Sequence, residues 1–388
     1  MGSPLLTPLV ANLPSTVPFT GPETLELQRG KPFKARIGAN ESSFGPAPSV
    51  LEAIQAEAGE IWKYGDPENY ELRHAIAAHH GVKPENIMPG AGVDALLGLV
   101  VRQYVREGDR VINSLGGYPT FNYHVAGYGG KLVTVPYIDD KSDLDGLLDA
   151  ARKQDAAILY LANPDNPMGT WHEGSDIQSF IERVPESTLL ILDEAYCETG
   201  PASAFPPFET DRQNVLRMRT FSKAYGLAGI RCGYVVGSAE AIKSFDKIRD
   251  HFAVNRLAQT AAIAALKDQA YLNVVVARIQ AGRDRIAQIA EANGLSAIPS
   301  ATNFVAVDCG RDGAFATAVL NGLIARDIFV RKPGAPILER CIRVSVGVEE
   351  QLDLFEAALP AALEDARKHA DIRETARTVE VQIAETIR

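Results

Sequence analysis

Lys223 lies in the segment TFSKAYGLAGIRCG (220–233), preceded by Thr220 and Ser222 and followed eight residues on by Arg231, with small residues filling much of the interval. An isolated lysine after a strand is ordinarily a surface charge. Here two hydroxyls and a guanidinium collect around one amine, and a planar fork of donors matches the oxygens of a phosphate. A lysine held beside such positive charge has a reason to lose its proton and attack an aldehyde carbon.

Three other segments carry side chains of complementary type. Asp193 ends the apolar run in LLILDEAYCE, with Tyr196 three residues later. An acid at that place is commonly a helix cap or turn former, but a carboxylate is also what keeps a pyridine nitrogen protonated, so that the ring can accept electrons from a carbanion. Tyr196 suits a ring hydroxyl. LANPDNPMG holds Asn163 and Asn166 among prolines; this reads either as a plain Asn-Pro turn or as a donor, Asn166, for a phenolate oxygen. PGAGVD (89–94) puts glycines before an amphipathic helix, which offers unpaired amides and a helix dipole to an anion. Its spacing matches neither a dinucleotide nor a P-loop fingerprint.

The elements that must position these residues alternate. RVINS (110–114), KLVTVPY (131–137), AAILYLA (156–162), TLLILDEA (188–195), NVLRMRT (214–220) and CGYVVG (232–237) read as strands, several separated by helical segments. That pattern predicts an α/β fold, a mostly parallel sheet sandwiched by helices, with ligands at the carboxyl ends of the strands. A long helical region begins near Asn255, and three further strand candidates (303–308, 327–332 and 341–347) predict a smaller α+β domain. The expected division is an arm over 1–45 joining the small domain, a large domain over 46–260, and a C-terminal domain over 261–388 with a helical tail. That tail reads as a solvated helix or a subunit-docking extension.

The chain of 388 residues is long enough for two domains. Its formal net charge of -10 argues against a nucleic-acid or anionic-membrane partner. Four cysteines without metal or disulfide spacing fit a reducing, cytoplasmic setting, and no metal site is expected. No signal peptide or membrane-spanning run is read.

In order along the chain, ANESSFGPAP, YGDPENYELR, PGAGVD, YPTFNYH, NPDNPMG, DEAY, FSKAYGLAGIRCG and IRVSVG make the sequence resemble the fold-type I, aspartate-aminotransferase-like enzymes that use pyridoxal 5'-phosphate, most closely the histidinol-phosphate aminotransferase group. The resemblance covers about Pro18 to Leu359. It implies a PLP-dependent transferase of fold type I that moves an amino group between an amino acid or amino-alcohol phosphate and a 2-oxo acid by a ping-pong mechanism. Lys223 would be the Schiff-base lysine and proton shuttle, and Asp193 would pair with the ring nitrogen. Tyr196 and Asn166 would sit on the 3'-oxygen. Phe121 would stack on the ring, and His124 would support Asp193 from behind. The backbone at Val93 and Asp94, with Thr220, Ser222 and Arg231, would bind the phosphate. Tyr64 would reach it from the neighbouring subunit of a homodimer with composite sites. Arg343, assisted by Asn40, would clamp the substrate carboxylate, and Arg331 would face a distal phosphate.

One anchor departs from the group. Its usual PYxPG tyrosine is replaced in PFTGPE by Phe19, whose ring cannot donate to a phosphate. The alternatives are a decarboxylase acting on an amino-acid phosphate, which needs the same electron sink, and a PLP-binding regulatory protein without activity.

Overall fold

The computed structural model describes residues 5–15 and 19–386, with side chains through residue 370. The chain forms two compact units. The first comprises the segment ending at Phe19, Glu41–Gln280 and Ala301–Asn303; the second comprises Thr20–Asn40, Ala281–Ser300 and the segment from Phe304 onward. The division therefore falls at Gln280, inside the helix Gln269–Ala292, and not at 260. The helix Arg256–Lys267 belongs to the first unit because it packs on Pro48–Glu57 and Tyr70–His80, burying Ala258, Ala261, Ala262 and Ala265. The arm carries regular structure. Pro22–Arg29 is a helix, opened by a proline in its first turn and closed by Gly30 at φ 69°.

The first unit is built on seven strands: β1 (Ile87–Gly90), β2 (Arg110–Ser114), β3 (Lys131–Val135), β4 (Ile158–Ala162), β5 (Leu189–Asp193), β6 (Val215–Thr220) and β7 (Gly233–Val236). Their order is β1-β7-β6-β5-β4-β2-β3. Every pairing is parallel except those of β7, which is antiparallel to both neighbours. β1 escapes a propensity reading because it contains Pro89 and Gly90. It lies at the sheet edge, where a missing N–H costs no ladder bond.

Alternation along the strands sorts the core. Ile158, Tyr160, Leu189 and Ile191 lie on the face covered by Leu96, Leu97, Val100 and Val101 of the helix Val93–Tyr104, together with Phe121 and Val125 of Pro119–Gly127. Leu159, Leu161, Leu190 and Leu192 lie on the other face, under Leu144–Gln154 and Gly174–Arg183. A strand's period of two then sends Asp193 to the first face and Glu194 to the second.

The second unit carries an antiparallel sheet in the order Ser296–Ala297, Phe304–Asp308, Cys341–Ser345. The expected strand at 327–332 shortens to Ile328–Phe329, which pairs in parallel with Ala35–Arg36 of the arm. The closing helix Glu349–Thr386 packs on Gly313–Ala325. The tail is thus helical to Thr386, while its side chains from 371 lie outside the described residues. Among the described residues no helix is long and apolar enough to cross a membrane.

Gly226 stands at φ 71°, where an added Cβ would lie 2.4 Å from the carbonyl of Gly45. Gly226→Ala should cost more than ~2 kcal/mol in urea unfolding. Gly229→Ala, with nothing within 4 Å of its Cβ position, should stay within about 0.5 kcal/mol of the parent.

Candidate active site

Two adjacent acids end β5 and meet opposite fates. Asp193 is 6% exposed. Its Oδ2 accepts the Tyr160 hydroxyl at 2.7 Å and its Oδ1 accepts the Ala195 N–H at 3.0 Å. Burial pushes the carboxyl up to about 6, against the pull of those two hydrogen bonds. Glu194 turns to the other face, where it accepts from Arg217 Nη2 at 2.6 Å and Arg219 Nε at 2.9 Å. Burial alone would raise its carboxyl, but the two guanidiniums hold it below the usual range. Arg217 and Arg219 come from β6, so this buried triad ties the end of β5 to the strand that leads to Lys223.

β6 ends at Thr220, and the chain turns at once into a cluster of donors. The Ser222 N–H donates to Thr220 Oγ1 at 3.1 Å, and the Thr220 hydroxyl lies 3.0 Å from Ser222 Oγ. Arg231, in left-handed backbone at φ 60°, donates through Nη1 to the Ala228 carbonyl at 2.9 Å and to Ser222 Oγ at 3.5 Å. Its Nη2 lies 2.2 Å from where a Cβ on Gly92 would sit, and Gly92 stands at φ 86°, so a side chain there would be strained in its backbone and would displace the guanidinium. Gly92 immediately precedes Val93–Tyr104, whose first amides have no partner within the helix. Hydroxyls, guanidinium and the amides at Val93 and Asp94 therefore converge. Lys223 follows the cluster, half-buried, with Nζ 5.4 Å from the centre of the Tyr196 ring.

The loop after β4 is held by Asn163, which donates to the carbonyls of His172 and Ala204 and accepts the His172 N–H. Asp165 accepts from Tyr137 at 2.8 Å and from the Met168 amide at 2.8 Å. These contacts fix the loop that carries Asn166, itself half-buried.

Two expectations change. Phe121 is completely buried, and its ring stacks on Tyr160 at 4.5 Å and 18°, so its stacking partner is a protein side chain. His124 does not bond Asp193. Its ring lies against the Val93–Tyr104 helix, with Cε1 2.9 Å from the Cβ position of Gly98, and its Nε2 has no partner among the described residues. Tyr160 occupies the place expected for it. Two tyrosines escape a reading of the sequence: Tyr160, and Tyr118, whose hydroxyl donates to Asp94 at 2.6 Å. The available signal is a tyrosine inside the apolar strand ILYLA, since a buried phenol ordinarily finds a partner.

Phe19 lies beside Tyr118, their rings 6.2 Å apart. Tyr64 is 78% exposed and packs on Phe252 at 4.6 Å. In the second unit, Arg331 and Arg343 form a reciprocal backbone bridge, at 3.1 and 2.6 Å. Arg331 also donates to the Thr20 carbonyl at 2.6 Å, and Arg343 lies over the Phe304 ring. Asn40, at φ 57°, is held on both sides by the Ser345 hydroxyl.

A lysine beyond a donor cluster, on a mostly parallel sheet whose neighbouring strand ends in a buried acid, defines the fold-type I class of pyridoxal-phosphate enzymes. The chain belongs to the aminotransferase class I and II family, whose model matches residues 34–359. It is 35% identical over 344 residues to the histidinol-phosphate aminotransferase of Staphylococcus epidermidis, spanning 87% of this chain and 94% of that protein. It is 36% identical over 365 residues to the enzyme of that name from Anaeromyxobacter, spanning 92% and 98%. The crystal structure of histidinol-phosphate aminotransferase from Sinorhizobium meliloti in complex with pyridoxal-5'-phosphate superposes with a TM-score of 0.90 at 54% identity, over 92% of this chain and 97% of that one. Aspartate aminotransferase from Thermus thermophilus, at 21% identity and a TM-score of 0.77, shares the fold.

Because burial raises the Asp193 carboxyl to about 6, above the usual ~3.9 of an unfolded chain, its contribution to stability is complete below pH ~4 and is lost as pH rises through about 6. Cofactor-free protein should therefore lose a few kcal/mol from this group between pH 4 and 7. Urea midpoints of the parent and of Asp193→Asn across that range test it: the difference between them should grow in favour of the variant as pH rises.

Proposed function

We propose that the chain is a pyridoxal-phosphate-dependent aminotransferase that moves an amino group between histidinol phosphate, or a related amino acid or amino-alcohol phosphate, and a 2-oxo acid by a ping-pong mechanism. The observation that carries this reading is the grouping of Lys223 with the Thr220, Ser222 and Arg231 donors at and beyond the end of the strand next to the one that ends in Asp193. The residues fit the cofactor, since the Arg231 guanidinium over a bare Gly92 leaves donors and helix amides where a phosphate monoester is best held.

Bound there, pyridoxal phosphate supplies an aldehyde that takes up an amine and a protonated ring that accepts electrons when the α C–H bond breaks. Thr220, Ser222, Arg231 and the amides of Val93 and Asp94 hold its phosphate. Asp193 keeps its ring nitrogen protonated, while Asn166 and Tyr196 donate to its 3'-oxygen. Lys223 would hold the cofactor through its amine and, when that amine is free, would serve as the base that moves the proton of the substrate Cα. Keeping one amine within reach of both carbons is a matter of positioning, worth several kcal/mol of barrier. Arg343, with Asn40, is assigned to the substrate carboxylate or its equivalent, and Arg331 to a distal anion. Phe19 stands where the group's hydroxyl would be. The aminotransferase relatives favour proton removal over loss of a carboxylate.

The protein is proposed to act as a homodimer. Ile61, Trp62, Tyr64, Tyr70 and Phe252 expose apolar surface, and Tyr64 would extend to the partner's phosphate site. Four free cysteines, all buried, agree with a reducing cytoplasm.

Borohydride treatment of the loaded protein should fix one cofactor mass on the peptide containing Lys223; labelling elsewhere, or none, would refute the assignment. In single-turnover assays over a panel of amines, keto product should form with stoichiometric pyridoxamine phosphate. Arg331→Ala should lower specificity on the order of a hundredfold for donors with anionic tails and little for neutral ones. Equal losses for both sets would sink the distal role. Mixing Lys223→Ala subunits with Tyr64→Phe subunits should restore activity above either parent if the sites are composite.

A further inference from the structure

Tyr160 is a phenol in the middle of β4, 1% exposed, with Ile158 and Leu159 beside it in the strand. The register explains why it is there. Tyr160 stands opposite Ile191 and Ala162 opposite Asp193, so Tyr160 and Asp193 share one face of the sheet on neighbouring strands, offset by two residues. That diagonal is within reach of an aromatic side chain, and its hydroxyl closes the gap at 2.7 Å on Asp193 Oδ2. The other side of the ring is fixed by Phe121, stacked at 4.5 Å. Phe121 in turn sits on Pro119–Gly127, the helix that also carries His124.

We infer that Tyr160 is the positioning residue for Asp193, fixing the orientation and proton affinity of the carboxylate that faces the cofactor ring, and that Phe121 acts through Tyr160. This rests on the cofactor reading above. Toward the ionised Asp193 carboxylate the hydroxyl serves as the donor, because burial, with Asp193 beside it, keeps Tyr160 protonated well above the usual phenol range. With Oδ2 held by Tyr160 and Oδ1 by the Ala195 amide, the carboxylate keeps one plane, its remaining lone pairs left for a ring N–H. The other ionisable groups that act on Asp193 are Asp94, which raises its proton affinity, and Lys223, which lowers it; Tyr118 and Asp165 reach the pair through Tyr160. His124 cannot substitute. Its ring is turned to the Gly98 side of the Val93–Tyr104 helix, and burial lowers its proton affinity.

The experiment compares parent, Tyr160→Phe, His124→Asn, Phe121→Leu, Asp193→Asn, and the Tyr160→Phe/Asp193→Asn and Phe121→Leu/Tyr160→Phe double variants. Two quantities are read: the dissociation constant of pyridoxal phosphate, and the pH at which the absorbance of the bound cofactor changes. Parent protein that takes up no cofactor would refute the functional reading itself, whatever the variants do. Given binding by the parent, Tyr160→Phe should weaken it roughly tenfold or more, as expected for a lost hydrogen bond to a charged group, and should move the absorbance transition. His124→Asn should move neither. In the Asp193→Asn background Tyr160→Phe should add little, because its effect passes through the carboxylate. Phe121→Leu should shift both quantities in the direction of Tyr160→Phe, and add little once the Tyr160 hydroxyl is gone. A parental transition in Tyr160→Phe, a shift confined to His124→Asn, or a loss from Tyr160→Phe that is equal in the parent and in the Asp193→Asn background would each overturn the inference.

Discussion

A charged carboxylate at the end of a buried strand is among the most costly groups a core can hold, and this fold places two in succession. Asp193 and Glu194 leave β5 toward opposite faces of the sheet. Each needs partners, and the neighbouring strands supply them: Tyr160 from β4 for the first, Arg217 and Arg219 from β6 for the second. The register of three central strands is thereby pinned by polar demands as well as by apolar alternation. A slip of one residue would send every side chain of β5 to the wrong face and leave both acids without their donors.

The elements proposed to hold the phosphate are placed by the same framework. Arg219 precedes Thr220, so the buried triad that satisfies Glu194 also fixes where β6 ends and where the turn to Ser222 and Lys223 begins. Arg231 returns over Gly92 because Gly233 of β7 pairs with both Thr220 and Gly90. The antiparallel strand is therefore what brings a guanidinium from one loop to the helix start of another. A fully parallel sheet would not return the chain to that place.

Much of this is legible in the residues. Strand alternation points to the parallel sheet, and the order of short motifs points to the cofactor class and the placement of Lys223, Thr220, Ser222 and Arg231. What sequence does not supply is the choice among neighbours. His124 stands three residues from Phe121 and is the natural candidate to support Asp193. Which of His124 and Tyr160 reaches it depends on a cross-strand diagonal that no local spacing encodes. The edge strand Ile87–Gly90 is hidden by its own proline. The domain boundary moves because the alanine face of Arg256–Lys267 packs on helices from much earlier in the chain. Long-range packing decides each of these, and local pattern decides the rest.

The Glu194 triad has a further consequence, for the protein's life without its cofactor. Its partners are all contributed by the chain, and they lie on the sheet face away from the convergent donors. Loss of the small molecule removes none of them. Amide exchange at β5 and β6 should then remain among the slowest in the empty protein, with protection lost first in the loops around Gly92 and Ser222. Such a protein is a standing receptor: it can lose the small molecule and take it up again without passing through an unfolded chain.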